Sequence, residues 1–127
     1  MNQNHYEIIE DEGFLKDKEE YSRKYPSLID DPDKNDIERY KKVLRANPND
    51  GRLRKTISEG VFLYKSDIFC KSLGKGQRGG MQVWFVRSVS KMKIYLVLMY
   101  PKSDESRYEV REIKKALEYY NNLGEKI

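Results

Sequence analysis

An α+β fold, with helices packed on one face of a small antiparallel sheet, is what this 127-residue sequence predicts. Three observations predict it. Apolar residues recur at helical spacing near the N-terminus, alternate with a period of two in the middle, and return to helical spacing at the end. The middle segments are joined by short connections, which favour antiparallel neighbours. The length suits one core, since a single core typically serves about 100–200 residues.

The elements follow in order. HYEIIED, residues 5–11, makes a short strand. A first helix runs from about Phe14 to Tyr25, where Phe14, Leu15, Lys18, Tyr21 and Tyr25 form a stripe. Pro26 ends it by disfavouring helical backbone at Tyr25. A second helix is capped by Asp33 or Asn35 and carries Ile37, Tyr40, Val43 and Leu44 at helical spacing. NPNDG, residues 47–51, stops that helix with turn residues. In VFLYKSDIFCKSL, residues 61–73, the parity of Phe62, Tyr64, Ser66, Ile68 and Cys70 holds no charge, while Lys65, Asp67 and Lys71 share the other. That pattern describes a strand whose even face lies on a core and whose odd face, with its lysines, is open. MQVWFVRSV (81–89) and KIYLVLMY (93–100) are β-branched and aromatic, with a hairpin turn between them. The last helix spans Tyr108 to Asn122, with Gly124 as its stop. The predicted order is β-α-α-β-β-β-α in a single domain, residues 1–127.

Charge is distributed unevenly. Residues 1–51 hold 9 Lys/Arg against 13 Asp/Glu, residues 52–102 hold 11 against 2, and residues 103–127 hold 5 against 6. An acidic helical region therefore precedes a strongly basic β region, and the C-terminal helix is near neutral. Such asymmetry points to a polyanionic partner more directly than the net charge of +4 does.

Several classes are excluded. No run approaches the ~18 apolar residues of a membrane span, and the N-terminus lacks a leader pattern, so the chain is expected in the cytoplasm with no membrane partner. The single cysteine, Cys70, cannot form an internal disulfide, which also fits a reducing compartment. One histidine, His5, rules out a two-histidine ribonuclease mechanism within a monomer. The basic middle has only Glu59 and Asp67, too few for a two-metal nuclease, so no metal and no cofactor are expected.

LGKGQRGG, residues 73–80, opens directly into the strand MQVWFV. It is not a Walker loop, because the spacing differs and a strand follows where that motif needs a helix. Lys65, Lys71, Lys75, Arg78 and Arg87 lie on or near this hairpin, with Phe69 and Trp84 among them. Cations interleaved with aromatics grip phosphates and stack on bases, as single-stranded RNA binders do.

The turn NPNDG, Gly60 opening a strand, LGKGQRGG before MQVWFV, and Tyr100-Pro101-Lys102-Ser103-Asp104-Glu105 before the last helix together resemble the RelE/HigB branch of the RelE/ParE toxin superfamily. The resemblance spans about Asn47 to Glu112 and implies a RelE-like fold. It implies a toxin that enters the ribosomal A site and cuts mRNA, neutralised by a cognate antitoxin. It implies metal-independent chemistry in which a 2′-hydroxyl attacks the adjacent phosphate and expels the 5′-oxygen. Lys65 and Lys71 stand where the family places basic residues before the loop, and Arg78 matches the cation before the paired glycines. Lys102 matches the basic residue after the last strand. Tyr108 either matches a catalytic tyrosine or belongs to the core. Lys75, Gln82, Trp84 and Arg87 are the expected RNA-binding residues, Trp84 either stacking on a base or covering the sheet. Gln82 departs from the family's arginine; it can hydrogen-bond a phosphate but cannot neutralise it. Two alternatives follow: a ParE-like gyrase inhibitor without enzymatic activity, and an RNA-binding module whose cleavage chemistry is lost.

Overall fold

A computed structural model describes residues 5–74, 80–108 and 118, with the backbone alone for Arg107 and Tyr108. The chain is α+β. Strand β1 (Glu7–Glu10) leads into helix α1 (Glu12–Lys24) and, after a 3-10 turn at Pro26–Leu28, helix α2 (Asp36–Ala46). Strands β2 (Arg52–Ser58), β3 (Val61–Ile68), β4 (Met81–Ser88) and β5 (Lys93–Pro101) follow. A 3-10 turn at Lys102–Asp104 then opens helix α3 (Glu105–Tyr108). The rest of the expected C-terminal helix lies outside the described residues, Glu118 excepted. No helix among the described residues is long and apolar enough to cross a membrane.

The five strands form one sheet in the order β1-β5-β4-β3-β2. Its antiparallel part is β2 to β5, as the short connections require. The sheet as a whole is mixed, which corrects the antiparallel expectation: β1 pairs with β5 in parallel, Glu7 opposite Lys93 and Glu10 opposite Leu96. Strand β2 is an addition to the predicted order. Its sequence RLRKTIS shows no apolar alternation because it is an edge strand, exposed from Arg52 to Thr56 and irregular at two points.

Both helices are anchored by local chemistry and by buried stripes. Of the two possible caps of α2, Asn35 is the one used: its Oδ1 accepts the Glu38 N–H at 2.8 Å. Such a cap contributes about 1 kcal/mol. Phe14, Leu28 and Leu44 are fully buried, and with Ile37 and Tyr40 they join the sheet's own core. Because β1 is four residues long, it covers β5 only as far as Leu96, and α1 takes over the strand's edge from there. The Asp11 N–H donates to Leu96 O, and the buried Asp17 carboxylate accepts the Met99 N–H. The approach between them is close, since a Cβ at Gly13 would lie 3.1 Å from Val97 O.

The predicted register of β3 is present over Tyr64, Lys65 and Ser66. Tyr64 stacks on Phe85 with centroids 5.1 Å apart, and Ser66 bonds Asp50 on the side of α2. Lys65 faces the other way, opposite Trp84. Two expectations need correction. The strand ends at Ile68, and Lys71 sits in a 3-10 turn at Lys71–Leu73, so Lys65 and Lys71 share no strand face. The lysine face is also not open. Every residue of β4 from Met81 to Val86 is buried, as a central strand covered on both faces must be.

Candidate functional site

Four of the predicted site residues come together on the sheet face turned away from α2. β3 and β4 are antiparallel and in register, which puts Lys65 opposite Trp84 and Asp67 opposite Gln82. β5 continues the row, with Tyr100 opposite Gln82. Lys102 follows directly after β5 and reaches back toward Asp67.

Each side chain there has identifiable partners. The Lys65 ammonium pairs with the Glu105 carboxylate and sits 5.3 Å from the centroid of the Trp84 ring, with its side chain 13% exposed. Trp84 is buried, and its indole N–H donates to Tyr100 Oη at 2.7 Å. The Arg54 guanidinium covers the Trp84 ring from β2 at 5.7 Å. Gln82 donates through Nε2 to Asp67 Oδ1 at 3.0 Å, while its buried Oε1 has no partner among the described residues. Lys102 Nζ lies 3.6 Å from Asp67 Oδ2, too long for a hydrogen bond, with its side chain 39% exposed. The least constrained ammonium of the group therefore stands at its solvent edge. Gln82, bound to the same carboxylate, keeps a buried amide oxygen that lacks a donor among the described residues, a condition that costs about 1–3 kcal/mol.

The remaining nominations lie elsewhere. Arg87 points to the opposite face, where Nε donates to Tyr6 Oη and one terminal nitrogen to Tyr64 Oη, with the guanidinium over the Tyr6 and Phe62 rings. Lys71 is exposed, and its main-chain N–H donates to the Asp36 carboxylate at the start of α2, which also accepts the Ser27 hydroxyl. Lys75, Arg78 and the Tyr108 side chain lie outside the described residues. The end of the glycine loop is described. Gly80 is buried so tightly that a Cβ would fall 2.3 Å from Ile68 O. That contact is the physical reason for at least one glycine of the pair.

Sequence reasoning missed Asp67, Glu105, Arg54 and Tyr100 as members of this group. Asp67 and Lys65 on one parity of β3 were the available signal. Arg54 had none, because β2 was not legible as a strand. Cys70 is fully buried near Ser27, and burial pushes its thiol above the ordinary value, which suits a packing residue and not a nucleophile. Among the described residues no group of three His, Cys, Asp or Glu is placed to hold a metal ion. No protein-family model matches the chain, and no curated protein matches it in sequence.

Proposed function

We propose that this protein is a RelE/HigB-like toxin: a metal-independent endoribonuclease that cuts mRNA in the ribosomal A site and is neutralised by a cognate antitoxin. The observation that carries the proposal is the gathering of Lys65, Lys102 and Arg54 on one sheet face, beside the end of a glycine-rich loop. The exposed cations of β2, Arg52, Arg54 and Lys55, extend that face along the sheet edge. A row of this kind attracts a phosphodiester chain along its length.

Besides this charge, the chemistry needs a base and an acid. The 2′-oxygen attacks the adjacent phosphorus and gives its proton to a base. The P–O5′ bond breaks, and the 5′-oxygen takes a proton from an acid, leaving a 2′,3′-cyclic phosphate and a 5′-hydroxyl. Positive charge at the pentacoordinate phosphorus lowers the barrier. In this proposal Lys102 supplies charge at the solvent edge of the site, and an incoming phosphate competes with Asp67 and Glu105 for the two lysines. Gln82, held by Asp67, supplies no charge.

One observation favours a second reading, an RNA-binding module without cleavage. Trp84 is covered and so offers no stacking surface, and the position of the family's arginine is a buried glutamine. Primer extension on cellular mRNA after induced expression separates the two. The nuclease reading expects discrete codon-linked cuts that disappear in Lys102→Ala. Growth arrest without cuts favours the binding module, and arrest with DNA-damage signalling favours a gyrase inhibitor.

A further inference from the structure

Toward α2, the end of β3 borders a cleft of about 570 Å³ that shares Asp67 with the lysine group. β2 begins opposite Lys65, so from Asp67 onward this edge of β3 has no strand beside it among the described residues. Helix α2 forms the other wall. The lining is of two kinds. Among the described residues that line it, Asp36, Asp50 and Asp67, the last beside Lys102, bring three carboxylates against Arg39; Val43 and Phe69 bring apolar surface that is 45% and 38% exposed. At the wall between them lies Tyr40, only 6% exposed. Its hydroxyl lies near Ser66 and Asp50, yet no hydrogen bond of ordinary geometry reaches it. Burial, with Asp50 and Asp67 nearby, raises the phenol above its ordinary value, so it remains a hydroxyl able to donate.

We propose that this cleft receives an extended segment of a protein partner that carries an arginine or lysine between apolar residues. The cationic head meets Asp50, and the flanking residues cover Val43 and Phe69. The segment's main chain lies along the edge of β3 beyond Lys65, where no strand pairs with it among the described residues, in the manner of strand addition. The buried Tyr40 hydroxyl gains the partner it lacks. The volume falls within the ~300–1,000 Å³ of ordinary ligand clefts. Charge complementarity decides the partner's sign: a nucleic acid is repelled by three carboxylates, whereas a basic chain is drawn in. This site goes beyond the proposed nuclease function and does not depend on it.

The test uses the full chain and a fluorescein-labelled peptide, acetyl-Val-Arg-Val-Arg-Val-amide, followed by anisotropy. Saturable binding is expected, at least tenfold weaker for the same peptide with glutamine in place of arginine. Asp50→Asn, which keeps an acceptor for Ser66, should weaken binding about tenfold, a loss of roughly 1.4 kcal/mol. Val43→Lys should abolish it, and Arg39→Glu should strengthen it; both positions are exposed, so folding is spared. Absence of saturation, equal affinity for the glutamine peptide, or wild-type binding by Asp50→Asn and Val43→Lys would overturn the proposal. So would arginine amide binding as tightly as the peptide, which would make the cleft a small-cation site.

Discussion

Asp17, on α1, accepts the main-chain N–H of Met99, on β5, at 3.0 Å, across a separation of 82 residues. The bond satisfies a strand-edge donor that β1 is too short to reach, and it fixes where α1 lies on the sheet. Removing a buried charged acceptor leaves that N–H orphaned, at a cost of about 2 kcal/mol. Asp17→Ala should lower the urea midpoint accordingly, and Asp17→Asn, which keeps an oxygen, should lose less. An unchanged midpoint in the alanine variant would show that the contact does not hold the helix.

Glu10 joins three elements: its carboxylate takes Lys18 of α1 at 2.7 Å and Lys41 of α2 at 2.5 Å. Burial opposes its charge, but these two bonds prevail and hold its pKa below the ordinary 4.5. A folded value below the unfolded one stabilises the protein above the unfolded pKa, and that contribution is lost as pH falls through the folded value. The stability gap between wild type and Glu10→Gln should therefore be constant near neutrality and close as pH falls below 4.5 and through the folded value. For Lys41, burial opposes the charge as well, but its carboxylate partners raise the pKa above 10.5, so its contribution holds below that value and fades above it. Chemical denaturation across pH checks both limbs; a gap independent of pH contradicts the linkage.

Gly80 admits no side chain without moving the backbone of Ile68 or Cys70. Gly80→Ala should destabilise by about 1–3 kcal/mol, the range for forced overpacking. It should also displace the loop's end relative to Lys102 and Gln82. Amide shifts confined to residue 80 and its chain neighbours would argue against that displacement.

If RNA is the substrate, Lys102 and β2 should separate by what they change. Lys102→Ala should reduce cleavage on the order of 10²–10³, as loss of a transition-state charge contact does, with stability nearly unchanged for so long and exposed an ion pair. Arg52, Arg54 and Lys55 replaced together should weaken ribosome or RNA binding and flatten its salt dependence by about two to three phosphate contacts. Cleavage at the wild-type rate in Lys102→Ala removes that lysine from the chemistry. An unchanged salt slope removes β2 from the interface.

Periodicity alone determined the helical stripe of α2, the strands β3 to β5 and the opposition of Lys65 to Tyr64, because those patterns are set by backbone geometry within one element. Parity within β4 likewise separates Arg87 from Gln82 and Trp84, a signal local to eight residues. Tertiary structure decided the rest. RLRKTIS has no apolar face and is a strand only because the edge of β3 offers its backbone hydrogen-bond partners. The parallel pairing of β1 with β5 joins segments at opposite ends of the chain, and no local preference records it. Trp84 reads equally as a stacking platform or a core residue until the Tyr100 hydroxyl and the Arg54 guanidinium are found against it. The pairing of Lys65 with Glu105 and of Lys102 with Asp67 depends on where separate strand ends meet in space. Side-chain pairing across such distances is a property of the packed sheet, which the order of residues along one strand does not contain.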